Sequence, residues 1–317
     1  MVHLLFLILG VLTLSLTAEA QVKPLGAQYP GDRGIAGDPD VIFACDFESA
    51  DLSTWDENQH PSGTALVSDP GLAFSGQGAV QMRAVLGEST GGGLIKRFQP
   101  GFDTVFARFY VKFAADHDYV HHFVHLLGER KPGQALGKAG LRPNGDDWFT
   151  TGVEPSGFGG RYPAPGIWNF YTYWPEMKHS GDGKYWGNSF ASREPIQALR
   201  DRWTCVEMAV KCNTPGQVDG VEDYWIDGRE AGPFTGFRWR TTPELKVSAF
   251  WLLHYVTDRS FALNRQARPN PVNTVWFDNV VVAKRYIGPM TGQDGGRPAS
   301  GGSAVAPPPG WGPREHR

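Results

Sequence analysis

A formal charge of −3 spread over 317 residues, with no run of Lys or Arg, argues against a nucleic-acid partner. Forty Gly and 24 Pro suit a chain of many turns, and beyond the N-terminal apolar run no stretch is long enough to span a bilayer as a helix. This length fits one large all-β domain whose core needs no staples.

In chain order, Met1-Val2-His3 leads into an apolar run from Leu4 to Leu16 that closes with Thr17-Ala18-Glu19-Ala20. Residues 1–20 read as a secretory signal peptide with an A-x-A-like cleavage site, so the mature protein is expected to be secreted, extracellular or periplasmic. Residues 21–40 are rich in Gly and Pro and form an N-terminal arm, and residues 41–288 form the folded domain. Residues 289–317, with Gly-Gly-Arg-Pro, Gly-Gly-Ser and Pro-Pro-Pro-Gly, form a tail expected to be disordered.

Within the domain, apolar runs alternate with turn clusters, the pattern of an antiparallel sandwich. Strands are expected at Val41 to Phe47, Ala79 to Val85, Val105 to Phe113, Trp203 to Lys211, Val221 to Asp227, Val247 to Val256 and Val275 to Ala283. In the third of these, Val105, Phe109, Val111 and Phe113 share one face while Arg108, Tyr110 and Lys112 share the other, which makes the latter candidates for contact with a ligand. Asp227-Gly228 is a hairpin signal.

Tyr119 to His125 carries three histidines. On a regular strand His122 and His125 would face opposite ways, and only a bulge or loop would bring them together. Trp168 to Pro175 follows, where alternation places Tyr171 and Tyr173 side by side on one face and Phe170, Thr172 and Trp174 on the other. Two adjacent phenols suit sugar rings and proton transfer, although a Tyr pair also covers the edge of many cores. Trp186 and Trp251 are candidate stacking platforms for pyranose rings.

Cys45, Cys205 and Cys212 are an odd set for an exported chain. Seven residues of strand separate Cys205 from Cys212 by about 23 Å, so they cannot bridge each other. A bridge from Cys45 to either one and three buried free thiols both stay open. No Cys/His spacing for zinc occurs.

The order of Gly137-Lys138-Ala139-Gly140, Tyr171-Thr172-Tyr173-Trp174-Pro175, Trp203 through Gly216 with Asp219-Gly220 and Trp225 through Gly228, and Phe277-Asp278-Asn279-Val280-Val281 resembles polysaccharide lyases of the alginate and glucuronan lyase type. The resemblance covers most of residues 41 to 287 and is carried by short motifs. It implies a concanavalin A-like jelly-roll β-sandwich of two antiparallel sheets. Lys138 resembles the lysine of a Gly-Gly-Lys-Leu-Pro-Gly motif, and Tyr171 and Tyr173 resemble a catalytic Tyr-x-Tyr. Where that family has Ser-x-Arg, this chain reads Thr150-Thr151-Gly152, and Arg142 or Arg108 is left as a stand-in for the arginine. Asp46, Glu48 and Asp278 resemble the acidic residues that share a structural calcium in carbohydrate-binding jelly rolls, a site that needs six to eight oxygens.

β-Elimination on a uronate requires that the carboxylate be neutralised, that a base remove the C5 proton and that an acid protonate the leaving oxygen. Lys138, His122, His125 and Arg142 are the candidate neutralisers, and Tyr171 and Tyr173 the candidate base and acid. No cofactor is required for that chemistry. The expected protein is a monomeric secreted polysaccharide lyase. A non-catalytic lectin-like module and a structural cell-surface protein are the alternatives; a retaining hydrolase is disfavoured because no Glu-x-Asp-x-x-Glu run is present.

Overall fold

The computed structural model describes residues 23–265 and 269–292; the expected signal peptide, and the expected tail beyond Gly292, lie outside the described residues. The described strands begin with β1 (Val41–Cys45), β2 (Glu57–Asn58), β3 (Thr64–Ser68), β4 (Gly78–Val85), β5 (Ser89–Phe102) and β6 (Thr104–Phe113). Next come β7 (Val124–Glu129), β8 (Trp148–Ser156), β9 (Ile167–Tyr173), β10 (Asn188–Ala191) and β11 (Trp203–Lys211). The series closes with β12 (Gly220–Ile226), β13 (Arg229–Glu230), β14 (Phe234–Phe237), β15 (Val247–Tyr255) and β16 (Val272–Ala283). A short helix α1 (Leu25–Gln28) precedes this set and another, α2 (Asp258–Leu263), lies between β15 and β16.

The strands stack as an antiparallel jelly-roll sandwich. One layer runs β3-β4-β16-β6-β11-β12, with β1 on β16 and with β13 and β14 on β12; the other runs β10-β9-β8-β7-β15-β5, with β2 on β5. Strand β5 belongs to both, pairing with β4 through Ser89 and Thr90 and with β15 from Gly91 onward. Period-2 alternation fixes what lies between the layers: Val105, Phe109, Val111 and Phe113 of β6 and Val206, Met208 and Val210 of β11 meet Phe149 and Val153 of β8, Trp168 and Phe170 of β9, and Phe250 and Leu252 of β15. A buried carboxyl also ties the layers together, since Glu222 of β12 accepts hydrogen bonds from the hydroxyls of Thr151 (2.8 Å) and Thr172 (3.0 Å). Desolvation pushes its pKa up to about 8.

The outer face of the β6 layer is covered by the arm. Leu25 and Ile35 pack on Phe106, Trp225, Val281, Tyr286 and Ile287, and the Gly26 N–H donates to the Ile287 carbonyl at 2.7 Å. This corrects the expectation for Arg108, Tyr110 and Lys112, which do alternate away from the core but lie on the layer opposite the tyrosines. Arg108 is fully buried and pairs with Asp32 of the arm, the Tyr110 hydroxyl accepts from the Met290 N–H at 2.8 Å, and Lys112 pairs with Asp201 at 3.4 Å. Met290 and Thr291, expected in the tail, instead pack against the domain and the arm.

All three cysteines are free. Cys212 follows the inward register of Val206, Met208 and Val210 into the inter-layer core, whereas Cys205 has the opposite parity and is buried beneath the arm side. Opposite faces of one strand cannot offer both thiols to Cys45, and neither bridge is formed.

Candidate functional site

The register of the second layer aligns one row of residues on its outer face. Trp251 of β15 pairs with His125 of β7, His125 with Gly152 of β8, Gly152 with Tyr171 of β9, and Tyr171 with Ser189 of β10. Cross-strand neighbours in such a row lie about 4.5–5.5 Å apart, close enough for their side chains to act together. Gly152 is the gap in the row. A Cβ there would stand 2.5 Å from Cε1 and 2.7 Å from Nε2 of His125, so the imidazole lies across the glycine. The space a side chain at position 152 would take is thus filled by a neighbouring histidine ring.

His125 is 6% exposed, and burial lowers its pKa to about 3, so it is neutral at physiological pH. Its Nδ1 lies 3.1 Å from the Thr150 hydroxyl, which itself donates to the Leu126 carbonyl at 3.4 Å. The hydroxyl therefore accepts from Nδ1–H, and Nε2 is left as an acceptor.

His122 precedes β7 in an irregular segment held to β15 by a bridge with Tyr255, so strand parity does not govern it. Its ring centroid lies 5.9 Å from that of His125 and 5.0 Å from that of Tyr171, and its Nδ1 is 3.2 Å from Glu154 Oε2. The loop brings together the two histidines that a regular strand would have kept apart. Glu154 of β8 carries no sequence motif that singles it out; its place beside His122 comes from the β7–β8 pairing and the irregular segment before β7. Asn169 donates to the Glu154 carbonyl at 2.8 Å and leaves its own Oδ1 buried without a partner.

Tyr171 and Tyr173 do share the outer face, with hydroxyls 3.4 Å apart. Desolvation, with the neighbouring Tyr173 adding, holds the Tyr171 pKa far above the usual phenol value. Gly187 packs on the Tyr171 ring, where a Cβ would lie 2.5 Å from a ring carbon. Tyr173 is 6% exposed and packs with Trp148, Met177 and Ala135. A cavity of about 280 Å³ opens beside this group, lined by His121, His122, Glu154, Tyr171, Ser189 and Ser260 among others.

The remaining sequence candidates lie around these groups. Lys138 is partly buried in the loop after β7, which docks on the Tyr173 cluster through Ala135 and Leu136; its side chain makes no ion pair among the described residues. Arg142, in the same loop, stacks its guanidinium over Tyr185 at 5.0 Å, and this loop is tied to the next by the Tyr185 N–H donating to the Gly140 carbonyl at 3.1 Å. Lys184 and Arg259 each approach the Trp186 ring, at 5.6 Å and 5.4 Å. Trp251 sits over Gly93, whose missing Cβ leaves the indole room, and its Nε1 is buried without a partner.

Asp46, Glu48 and Asp278 lie elsewhere, at the end of β1 and in β16. Asp278 Oδ2 accepts from the N–H groups of Phe74 (2.8 Å) and Ser75 (3.1 Å), and Glu48 Oε1 from those of Gln77 and Gly78, both at 2.8 Å. Asp46 Oδ1 accepts from the Glu48 N–H at 3.2 Å. Burial, with Glu48 adding, raises the Asp278 pKa to about 7. Neither Glu48 nor Asp278 has a Lys or Arg partner among the described residues, so the charge suits a cation, although backbone N–H groups already occupy part of the oxygen set.

No family model matches this chain, and no curated protein matches it. Solved structures do match. Alginate lyase vAL-1 from Chlorella virus is 16% identical, with 77% of this chain and 99% of that one covered and a TM-score of 0.54. The marine PL-14 alginate lyase from Aplysia kurodai is 14% identical, with 76% and 98% covered and a TM-score of 0.57. Alginate lyase Aly36B is 13% identical, with 76% and 96% covered and a TM-score of 0.51. At these identities the likeness is one of fold: this chain shares its jelly roll with these alginate lyases.

Proposed function

We propose that the protein is a secreted polysaccharide lyase that cleaves a uronate-containing glycan by β-elimination on the outer face of the β7–β10 layer. The observation that carries this reading is the Tyr171–Tyr173 hydroxyl pair, 3.4 Å apart, beside the His122–Glu154 pair at the edge of an open cavity. In this scheme His122, with Lys138 and Arg142 from the adjoining loop, meets the uronate carboxylate, and neutralising it acidifies C5. Tyr173, in the phenolate form that a base requires, takes the C5 proton and becomes a phenol. The C5–H pair of electrons forms the C4=C5 bond, the C4–O4 bond breaks, and O4 leaves with a proton from Tyr171. Burial keeps Tyr171 in the phenol form that an acid requires. Trp251 and Trp186 offer ring faces to neighbouring sugars.

In the same proposal Asp46, Glu48 and Asp278 would hold a structural calcium, away from the chemistry. Its expected sign is a melting temperature that rises with calcium in the wild type and stays fixed in Asp278→Asn.

Incubation of the mature protein with alginate, glucuronan, pectate and glycosaminoglycans, followed by ultraviolet absorbance of the new C4=C5 bond, tests the reaction. The expected outcome is a rise on at least one of them. Gly152 in place of an arginine favours a second reading, a lectin-like module, for which glycan binding with no absorbance change on any substrate is the signature.

A further inference from the structure

Glu154 is a buried carboxylate, its side chain 8% exposed, and among the described residues its ion-pair partner is His122 alone, with no Lys or Arg. An acid so placed calls for positive charge. Around it stand two imidazoles. Among the described residues, His122, His125 and Glu154 are the one group of at least three His, Cys, Asp or Glu whose ligand atoms all lie within 4.8 Å of one another.

We propose that His122, His125 and Glu154 form a binding site for a divalent transition-metal cation of the zinc class. Two imidazole nitrogens and one carboxylate oxygen are a borderline-soft donor set that suits zinc and its first-row neighbours, whereas calcium and magnesium take oxygen almost throughout.

The surroundings of each donor match what such sites need. Thr150 accepts from Nδ1 of His125 and so leaves Nε2 as the nitrogen free to bind, the kind of outer partner that fixes the tautomer and orientation of a ligating histidine. Gly152 leaves the ring its space. Asn169 holds the backbone of Glu154 through its carbonyl at 2.8 Å. Three protein ligands leave at least one coordination position open, and His122 and Glu154 both line the cavity of about 280 Å³.

The role of the ion rests on the lyase reading above. A cation there would meet the uronate carboxylate and supply the neutralising charge that Gly152, standing where the resembling lyases have arginine, cannot. His122 and His125 then act by holding the ion, and Tyr171 and Tyr173 still move the protons.

The site is tested on the full chain, stripped with chelator, dialysed and titrated with zinc chloride by calorimetry, with the melting temperature followed in parallel. The expected result is uptake of one zinc per chain with a raised melting temperature, weakened at least about tenfold in both His122→Gln and Glu154→Gln and unchanged in His179→Gln, which alters an exposed histidine outside the group. Absence of uptake, or uptake that both variants retain, overturns the site. The role is read separately: stripped and zinc-loaded proteins are compared for binding of sodium glucuronate. Tighter binding to the loaded form supports the ion's contact with a carboxylate, and equal binding overturns that contact. If no glycan in the panel is cleaved, the lyase reading fails while the zinc titration still decides the site.

Discussion

At the scale of single residues, the site depends as much on a missing side chain as on those present. Gly152 leaves the space that His125 fills, with contacts of 2.5–2.8 Å awaiting any Cβ. Gly152→Ala is therefore expected to displace the His125 ring and to cost about 1–3 kcal/mol of stability, as overpacking does. Urea unfolding measures the loss, and an unchanged midpoint would mean that the ring moves aside freely. The sequence made Tyr171 and Tyr173 legible as a pair, because strand parity is enough to put them on one face. It also showed that Gly152 broke the pattern. What it could not show was that His125 lies across that glycine, a cross-strand relation set by the β7–β8 register.

At the scale of elements, the strands expected from alternation agree with the observed ones to within a few residues, as Trp203 to Lys211 illustrates for β11. Alternation distinguishes two faces of a strand but does not say which layer the strand joins. For that reason alternation puts Arg108, Tyr110 and Lys112 on the outward face of β6 without showing that this face lies under the arm, opposite the tyrosines. The arm, legible only as Gly and Pro, turns out to be a cover whose Asp32 neutralises the fully buried Arg108. Asp32→Ala leaves that guanidinium without its carboxylate and is expected to cost about 3–5 kcal/mol. Chemical denaturation gives the value, and limited proteolysis should show earlier cutting near residues 23–40; a variant as stable and resistant as the wild type would contradict this role for the arm. His122 escaped parity altogether, since it lies in the irregular segment before β7.

At the scale of the whole molecule, buried titratable groups predict a plateau of stability with two falling limbs. Burial lowers the pKa of His117 and His121 to about 4 and that of His125 to about 3, against an ordinary 6.5. The unfolded chain binds protons first, so stability conferred by these groups is present above about 6.5 and is lost as pH falls toward their folded values. Burial raises Glu222 to about 8 and Glu207 and Asp278 to about 7. Stability from these carboxyls is present below the ordinary carboxylate range and is lost as pH rises through the raised values. Between about 4.5 and 6.5 the two trends oppose each other, and the melting temperature should be highest there. Glu222→Gln keeps a partner for the Thr151 and Thr172 hydroxyls without the charge, and should flatten the alkaline limb measured by calorimetry across pH. An alkaline limb as steep as that of the wild type would show that Glu222 does not titrate there.

The jelly roll itself supplies the frame on which several chemistries could stand, so the claim that this chain cleaves glycans rests on the two phenols. Replacing Tyr173 by Phe removes one hydroxyl from a packed site and leaves the ring in place. The direct measurement is the initial rate of C4=C5 absorbance for Tyr173→Phe beside the wild type, on whichever uronate glycan the wild type cleaves, with melting curves for both. The expected result is loss of turnover in the variant with the fold retained; a variant that turns over at the wild-type rate would contradict a catalytic role for Tyr173.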